Sequence, residues 1–511
     1  MNSAPLRLCV KLFFIPFLLK NNGFKLKLSI VFMTTENIFK QGAQFYFVGI
    51  KGTGVCALAE LILNAGIKVR GSDTNEVFYT DTILKSLQIP YYENFDAAHV
   101  TKDIDTVIHS AAYSADTNPE LAQAVKLGIP VIKYTDALGM WSARFDSTGV
   151  CGVHGKTTTT ALAGVCARGA GLPAQILTGS GAFDFGGKST LNMGDKFFIA
   201  ETCEYRRHFL SFHPKRIILT SIESDHQDYF PDYKSILDAF VEYCRLLPSG
   251  GQLIYCADDP GASEAAKIIE SEKRGITFVP YGFTAEGDYR VVSYTVEKER
   301  AHFSFAGFSR QFTIRIPGRH QALNAAAAVA LTASLLKEQG CTLDEDKIQS
   351  VGKELENFRS TKRRSEIIGE AGGIIFMDDY GHHPTAIKKT LAGIKNFYPS
   401  RRLVVSFMSH TYTRTSALLD EFASAFDDAD IVFLHKIYAS ARENYKGGVN
   451  GRTLCEKVAE RKTAFYQDEP DDAFAPLCEM LKSGDIFITL GAGNNWPLGV
   501  KLFNHFGGNH D

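Results

Sequence analysis

The chain has 511 residues, 45% of them hydrophobic and 22% charged, with a formal net charge of −2. This length predicts about three domains with ordinary cores, and the near-zero charge excludes a global field drawing the chain to nucleic acid or an anionic membrane. Ten cysteines without a Cys-x-x-Cys pair exclude zinc-ribbon spacing and a disulfide scaffold, and point to a reducing cytoplasm.

Residues 1–32 form an extension ahead of Met33. Its apolar run, residues 12–19, falls short of the roughly 20 residues that span a bilayer, so stable membrane insertion is not expected. Translation beginning at Met33 is the favoured reading. A disordered or accessory segment and an export signal are the alternatives.

A first domain is expected over residues 43–144. The apolar strand 45–48 runs into Gly49-Ile50-Lys51-Gly52-Thr53-Gly54, then a helix, then a strand ending at Ser72-Asp73. A β-α-β unit with a glycine turn reads as a nucleotide site. Gly49, Gly52, Thr53 and Gly54 are its candidates, with Asp73 and Ser110 at later strand ends. The spacing is Gly-x-x-Gly-x-Gly, and a tight structural turn is the alternative reading. Further alternation of strands and helices implies a small parallel sheet.

A second domain is expected over 145–357. Residues 147–151 suit a buried strand, and Gly152-Val153-His154-Gly155-Lys156-Thr157-Thr158 follows, leading into a helix. Strand, glycine turn, Gly-Lys-Thr and helix aim backbone N–H groups and a helix N-terminus at a polyphosphate. Lys156 is expected on the outer phosphates and the Thr157 hydroxyl on Mg²⁺. The common loop has glycine where this chain has Val150, so this is a shorter version.

Strand 196–201 ends in Glu201, and strand 216–220 delivers His226. Parallel sheets bind ligands at strand carboxyl ends. Glu201 and His226 are therefore expected beside the loop as oxygen and nitrogen ligands of Mg²⁺ or Mn²⁺. Glu204 and Cys203 are weaker candidates beside them, with an ordinary helix-start glutamate as the alternative reading of Glu204. Residues 275–313 read as an antiparallel elaboration. His320 and Asn324, entering an alanine-rich helix, either read an adenine edge or cap the helix.

A third domain is expected over 358–511, with strands 373–377, 402–407, 430–434 and 485–490. Each ends in a polar cluster, so the four form a substrate-facing rim. No Gly-x-Ser-x-Gly elbow or Cys/His arrangement marks covalent catalysis. Phosphoryl transfer to a bound acceptor remains, where catalysis is positioning and charge neutralisation. A nicotinamide-dependent dehydrogenase built on the first glycine turn leaves Lys156 and Thr157 unexplained. A non-catalytic nucleotide switch is the other competing class.

Together, these motifs resemble the Mur ligase family of cell-wall peptide synthetases. The resemblance is carried by the two glycine turns, by Glu201-Thr202-Cys203-Glu204-Tyr205-Arg206-Arg207, and by Asp225-His226. Pro317-Gly318-Arg319-His320 with Asn324, Asp378-Asp379-Tyr380-Gly381-His382-His383-Pro384 and His410-Thr411-Tyr412-Thr413-Arg414 extend it.

The resemblance implies a three-domain α/β fold: an N-terminal Rossmann-like UDP-binding domain, a central P-loop ATPase-like domain and a C-terminal Rossmann-like domain. It implies a cytoplasmic, ATP- and Mg²⁺-dependent ligase joining L-alanine to the lactyl carboxylate of UDP-N-acetylmuramate through an acyl phosphate. Addition of a tripeptide to the same sugar nucleotide is the nearest alternative. It assigns ATP to residues 152–158 with His320 and Asn324, metal to Thr157, Glu201 and His226, and catalysis to Lys156, Glu201 and His226. The incoming amino acid falls to His383, His410 and Arg414. The oligomeric state is open between monomer and dimer.

The chain departs from the family pattern at Val153, Ser365, Met408-Ser409 and Asn494. Val241 stands near the place where some relatives use a carbamylated lysine, so none is expected.

Overall fold

The computed structural model describes residues 38–439, 443 and 447–509; the extension 1–32 lies outside them. The chain divides at Phe145/Asp146 into two compact units. Among the described residues no helix is long and apolar enough to cross a membrane.

The first unit is built on five parallel strands: β1 (Gln44–Val48), β2 (Lys68–Ser72), β3 (Tyr91–Tyr92), β4 (Thr106–His109) and β5 (Val131–Lys133), in the order β3-β2-β1-β4-β5. Phe45, Tyr46, Phe47 and Val48 are fully buried, as expected of a central parallel strand covered on both faces. The chain leaves β1 toward β2 on one side and returns to β4 on the other. The carboxyl end of β1 is therefore the sheet's switch point. Helix α1 (Thr53–Asn64) starts there.

The second unit contains two large sheets. In the first, β6 (Asp146–Cys151), β7 (Ala174–Leu177), β8 (Thr190–Asn192), β9 (Phe197–Glu201), β10 (Arg216–Leu219), β11 (Gln252–Cys256) and β12 (Thr277–Tyr281) are ordered β12-β11-β10-β6-β9-β7-β8. Only β8 pairs antiparallel. Helix α2 (Lys156–Gly169) follows β6 and packs on α3 (Arg319–Glu338), whose alanines at 322 and 325–328 are fully buried. Small side chains there let the helices approach the sheet closely.

The expected antiparallel elaboration begins later than residue 275. β12 runs parallel to β11 at the edge of the main sheet, where Pro280 is tolerated. The antiparallel sheet is β13 (Val291–Glu297), β14 (Arg300–Phe305) and β15 (Gln311–Ile314).

The second large sheet holds β16 (Glu366–Ala371), β17 (Ile374–Asp379), β18 (Arg402–Phe407), β19 (Ile431–Leu434), β20 (Thr463–Tyr466) and β21 (Asp485–Leu490), ordered β16-β17-β21-β18-β19-β20. The four expected strands form its continuous parallel centre, so their polar clusters share one edge. β16 is an added hairpin partner, turned through Gly372 and Gly373, both at positive φ. Helix α4 (Pro384–Phe397) follows β17, and α5 (Tyr412–Ala417) follows β18. A Cβ added at Gly393 of α4 would stand 2.6 Å from the Gly318 Cα ahead of α3. The two sheets' helices thus meet backbone to backbone.

Candidate active site

In the first unit, the N–H groups of Gly49 and Ile50 both donate to the Ser72 carbonyl, at 2.9 and 3.1 Å. Gly49 has φ +81°, and a Cβ there would lie 2.9 Å from both the Ser110 Cβ and the Tyr113 ring. A side chain would therefore be strained and obstructed. Gly52 is the N-cap residue of α1, and Gly54 leaves room for the Tyr134 hydroxyl. The turn residues and Ser110 thus come together at the switch point.

Asp73 directly follows β2, at the strand's carboxyl end as expected. It is buried, and its carboxylate accepts the N–H groups of Lys51 at 2.7 Å and Thr74 at 2.8 Å. Burial pushes its pKa up, with those donors opposing the shift. Asp73 braces the glycine turn.

In the second unit, the loop after β6 is fastened to the end of β10. Val153 N–H donates to the Ser221 carbonyl and His154 N–H to the Ser221 hydroxyl, both at 2.9 Å. Gly152 has φ +135°, and a Cβ there would lie 2.1 Å from the Thr220 hydroxyl. Gly155 has φ +82° and faces Asn324 Oδ1. Asn324 also accepts from the Thr159 hydroxyl at 3.2 Å and donates to Gln321 at 3.0 Å. Gln321 in turn contacts His320 at 3.1 Å. Burial, helped by Lys389, pushes the His320 pKa down to about 4, so its imidazole is neutral near pH 7.

Lys156 Nζ donates to the Gly152 carbonyl at 2.5 Å and to Glu204 at 2.9 Å. Glu204 is only 2% exposed, and its other oxygen lies 3.4 Å from His226 Nε2. Burial opposes the charge on Glu204, but Lys156 and His226 outweigh it and its pKa falls below the usual range. Glu204 does stand at the start of a short 3₁₀ segment, yet its side chain makes no capping bond. Of its two readings, the helix-start one does not account for these contacts. The signal was its spacing, three residues past the strand-end Glu201.

Thr157 follows β6, Glu201 ends β9 and His226 follows β10, and the three strands are adjacent. Gly179 N–H donates to Glu201 at 2.8 Å, and a Cβ on Gly179 would overlap that carboxylate at 2.4 Å. A hydroxyl, a carboxylate and an imidazole make a mostly hard donor set, which fits Mg²⁺ or Mn²⁺ better than Zn²⁺.

A cavity of about 680 Å³ opens beside the loop, within the size range of small-molecule sites. Residues 153–158, His320 and Asn324 line it. So does one face of α4, through Ala386, Lys389, Gly393 and Asn396, a spacing of three or four that the sequence displays but that was not read as a wall. Phe283 also lines the cavity, with the Arg319 guanidinium stacked 3.7 Å above its ring.

The expected amino-acid trio is divided. Arg414 is 4% exposed and sends Nε and Nη2 to one oxygen of Asp225, at 3.0 and 2.6 Å. Its Nη1 contacts His410. Burial works against Asp225, but the guanidinium prevails and holds the carboxyl well below its usual range. His382, not His383, faces the His410 ring, at 5.8 Å. A small cavity of about 40 Å³ is bounded by His226, His410 and Arg414.

His383 instead joins the loop after β6: its ring lies 5.4 Å from that of His154, and Nδ1 lies 3.7 Å from Glu223. Glu223 is hydrogen-bonded to His154 and accepts from the Thr385 hydroxyl at 2.9 Å. Burial raises its pKa, but the two histidines win and it drops to about 2. Donor atoms of His154, Glu223 and His383 lie within 4.8 Å of one another. His383 Nδ1, however, accepts the Thr385 N–H as the cap of α4, which commits that lone pair. Glu223 thus ties His154 to the start of α4, with the His383 ring beside the pair and its Nε2 buried without a hydrogen-bond partner.

Two of the departures have structural accounts. Ser365 donates N–H and hydroxyl to Asp379, at 2.6 and 3.3 Å, on the cavity wall. Met408 packs on Gly491 and Gly493, where added Cβ atoms would meet it at 2.2 and 2.5 Å. Val153 is buried with its backbone engaged as above. Asn494 is exposed, and nothing in the structure explains it.

Three family models match consecutive stretches: "Mur ligase family, catalytic domain" over residues 44–146, "Mur ligase middle domain" over 150–332, and "Mur ligase, glutamate ligase domain" over 363–493. A UDP-N-acetylmuramate–L-alanine ligase of Treponema pallidum is 49% identical over 466 residues, covering 91% of this chain and 97% of that protein. The crystal structure of a UDP-N-acetylmuramate–alanine ligase from Thermotoga maritima superposes with a TM-score of 0.71 at 22% identity, covering 91% of this chain and 99% of that one. A murein peptide ligase from Psychrobacter arcticus, with the same identity and coverage, gives 0.61. These two likenesses show the three-domain α/β fold. With the models spanning residues 44–493 and a relative that similar over nine-tenths of its length, the chain belongs to the Mur ligase family.

Proposed function

We propose that the chain is an ATP-dependent amide ligase that joins L-alanine to the lactyl carboxylate of UDP-N-acetylmuramate, in peptidoglycan precursor synthesis. The observation that carries this reading is Lys156, held with Glu204 at the mouth of a nucleotide-sized cavity. It stands in a chain 49% identical to a protein named for that reaction.

The UDP moiety is assigned to Gly49, Gly52, Thr53, Gly54 and Ser110, with Asp73 bracing the turn. ATP is assigned to residues 152–158, with His320 and Asn324. Thr157, Glu201 and His226 would hold Mg²⁺, which when bound supplies positive charge against the phosphate oxygens. ATP as co-substrate suits a cytoplasmic enzyme.

A lactyl carboxylate oxygen attacks the γ-phosphorus, the bond to ADP breaks, and an acyl phosphate results. The amine nitrogen of L-alanine then attacks the acyl carbon, loses a proton and expels phosphate. Lys156 exchanges the Glu204 carboxylate for phosphate oxygens and neutralises the charge that develops on them. His320 stays uncharged, so beside the nucleotide it serves as a hydrogen-bonding group. The amino acid is assigned to the His410 side of the site, next to the small cavity.

Phosphate release is measured with ATP, Mg²⁺ and UDP-N-acetylmuramate while L-alanine, glycine, L-serine or a tripeptide is offered in turn. Stimulation by L-alanine above the others is the expected result. Preference for the tripeptide would identify a recycling ligase instead, and no stimulation by any amine would exclude a ligase of this kind.

A further inference from the structure

An amino acid arrives as a zwitterion, so its site must meet two opposite charges carried on one carbon. The small cavity of about 40 Å³ has groups of both kinds on its wall. Arg414 gives its Nε and one Nη2 N–H to Asp225. A guanidinium has five N–H groups, so the second N–H of Nη2, and Nη1 beside His410, stay available to a carboxylate. The ammonium needs an acceptor of the other sign.

Two carboxylates line the cavity, Asp228 and Glu443. Glu443 spends both oxygens at the start of α5, one on the Tyr412 N–H at 2.6 Å and the other on the Thr413 hydroxyl. Asp228 is exposed, and its Oδ2 accepts the Tyr205 hydroxyl at 2.7 Å. Among the described residues its Oδ1 accepts no hydrogen bond.

The surroundings hold Asp228 in place. His226 sits at φ +53°, a left-handed conformation that a non-glycine residue holds only when its surroundings impose it. Its carbonyl accepts the N–H groups of both Tyr229 and Phe230 at 2.8 Å, which closes a turn with Asp228 in its middle. Tyr205 is 7% exposed, and its ring packs 4.8 Å from that of His226. The hydroxyl that grips Oδ2 therefore comes from a fixed side chain, and it limits the rotation of a carboxylate whose other oxygen is unspent. Asp228 also stands two residues after His226, on the side assigned to the metal and the phosphates. That is the side from which the amine must reach the acyl carbon.

We propose that Asp228 receives the α-ammonium of the incoming amino acid, with Tyr205 as its positioning residue, while His410 and Arg414 take the carboxylate. The proposal rests on the ligase assignment. It gives the site one group for each charge of its substrate.

Initial rates of phosphate release by the full chain, with L-alanine varied at saturating Mg-ATP and UDP-N-acetylmuramate, compare the parent, Asp228→Asn, Tyr205→Phe and the double variant. Asp228→Asn keeps the shape and an acceptor oxygen without the charge, and should raise the KM for L-alanine at least about fivefold. Tyr205→Phe keeps the ring against His226 and loses only the bond to Asp228, for a rise of about threefold. The double variant should be no worse than Asp228→Asn, because the hydroxyl acts through the carboxylate. A second assay offers hydroxylamine, an amine that is uncharged at neutral pH. It attacks the acyl carbon, expels phosphate and leaves a hydroxamate. Lacking a positive charge, it should react within about twofold of the parent rate in every variant, which also shows that each is folded.

A smaller rise in the KM for L-alanine in Asp228→Asn would overturn the proposal. So would a hydroxamate rate that falls in step with ligation, since Asp228 would then serve the metal nucleotide. An unchanged KM in Tyr205→Phe would remove Tyr205 from it. A parent that no amine stimulates would instead refute the ligase assignment, and this proposal with it.

Discussion

Replacing Glu204 with glutamine tests the lysine-carboxylate pair at the phosphate loop. The substitution keeps the shape and an acceptor oxygen but removes the charge opposite Lys156, 2.9 Å away and 13% exposed. Breaking a buried ion pair by removing one partner costs about 3–5 kcal/mol. The retained acceptor and the Gly152 carbonyl put this case at the lower end, about 3 kcal/mol. The unit from Asp146 to Asp511 has about 366 residues. At about 2.1 cal/mol/K per residue its unfolding entropy is about 0.8 kcal/mol/K, so the loss corresponds to about 4 °C in Tm. In the nucleotide complex the phosphates supply the missing negative charge. Differential scanning fluorimetry with and without saturating Mg-ADP should therefore show a ligand-free Tm lowered by about 4 °C and a nucleotide-induced rise larger than the parent's by most of that amount. An unchanged ligand-free Tm, or a rise no larger than the parent's, would refute the reasoning and return Glu204 to an ordinary helix-start residue.

Lys156→Ala should abolish amine-stimulated phosphate release while the fold, followed by circular dichroism, persists; near-normal turnover would remove this lysine from the mechanism. Gly393→Ala places a Cβ 2.6 Å from the backbone of Gly318, where no side chain can swing aside. A loss of about 2 kcal/mol and a raised KM for ATP are expected, since Gly393 lines the cavity, to be read by urea unfolding and initial rates. His435 is 1% exposed, bonded to Ser406 at 2.8 Å, and its pKa is pushed down to about 4 by burial. A depressed histidine contributes stability that is fully present above its unfolded value of about 6.5 and is lost as pH falls toward 4. Between pH 7 and pH 4 the loss is about 3 kcal/mol. Urea titrations of the parent and His435→Gln should differ by that much less at pH 4 than at pH 7, and parallel pH dependences would contradict the assignment.

The sheet architecture was legible in the sequence because parallel strands covered on both faces read as apolar runs, and residues 45–48, 197–200 and 486–490 are such runs. Both glycine turns were legible for a related reason: Gly49, Gly152 and Gly155 occupy backbone conformations or spaces that exclude a side chain. β12 and β16 were harder, because an edge strand buries one face or less and its pattern merges with that of a loop. The site residues that escaped notice depend on what meets across sequence distance. Glu204 acquires its role only when His226, 22 positions on, folds back against it; its place three residues past the strand-end Glu201 is the one local signal, and it does not by itself separate that glutamate from a capping one. His382 and His383 are adjacent in the sequence. Capping of α4 by His383 sends the two rings to different neighbours, and neither composition nor spacing encodes which goes where.

The segment from Ser221 to His226 is where these contacts converge. Ser221 holds the phosphate loop, Glu223 ties His154 to Thr385, Asp225 takes Arg414, and His226 reaches Glu204. Four of six consecutive residues thus join the nucleotide loop to segments that follow β17 and β18. An ordinary strand-end loop presents side chains to one ligand. This one is itself the contact between the elements assigned to ATP and those assigned to the amino acid. Its left-handed residue, His226, lies at the end of the line, where any shift of Asp225 is transmitted to the residue facing Glu204 and Lys156. Substitutions in this segment should therefore be non-additive with those in the phosphate loop and in α5, since they act on one connected set of charges rather than on separate sites.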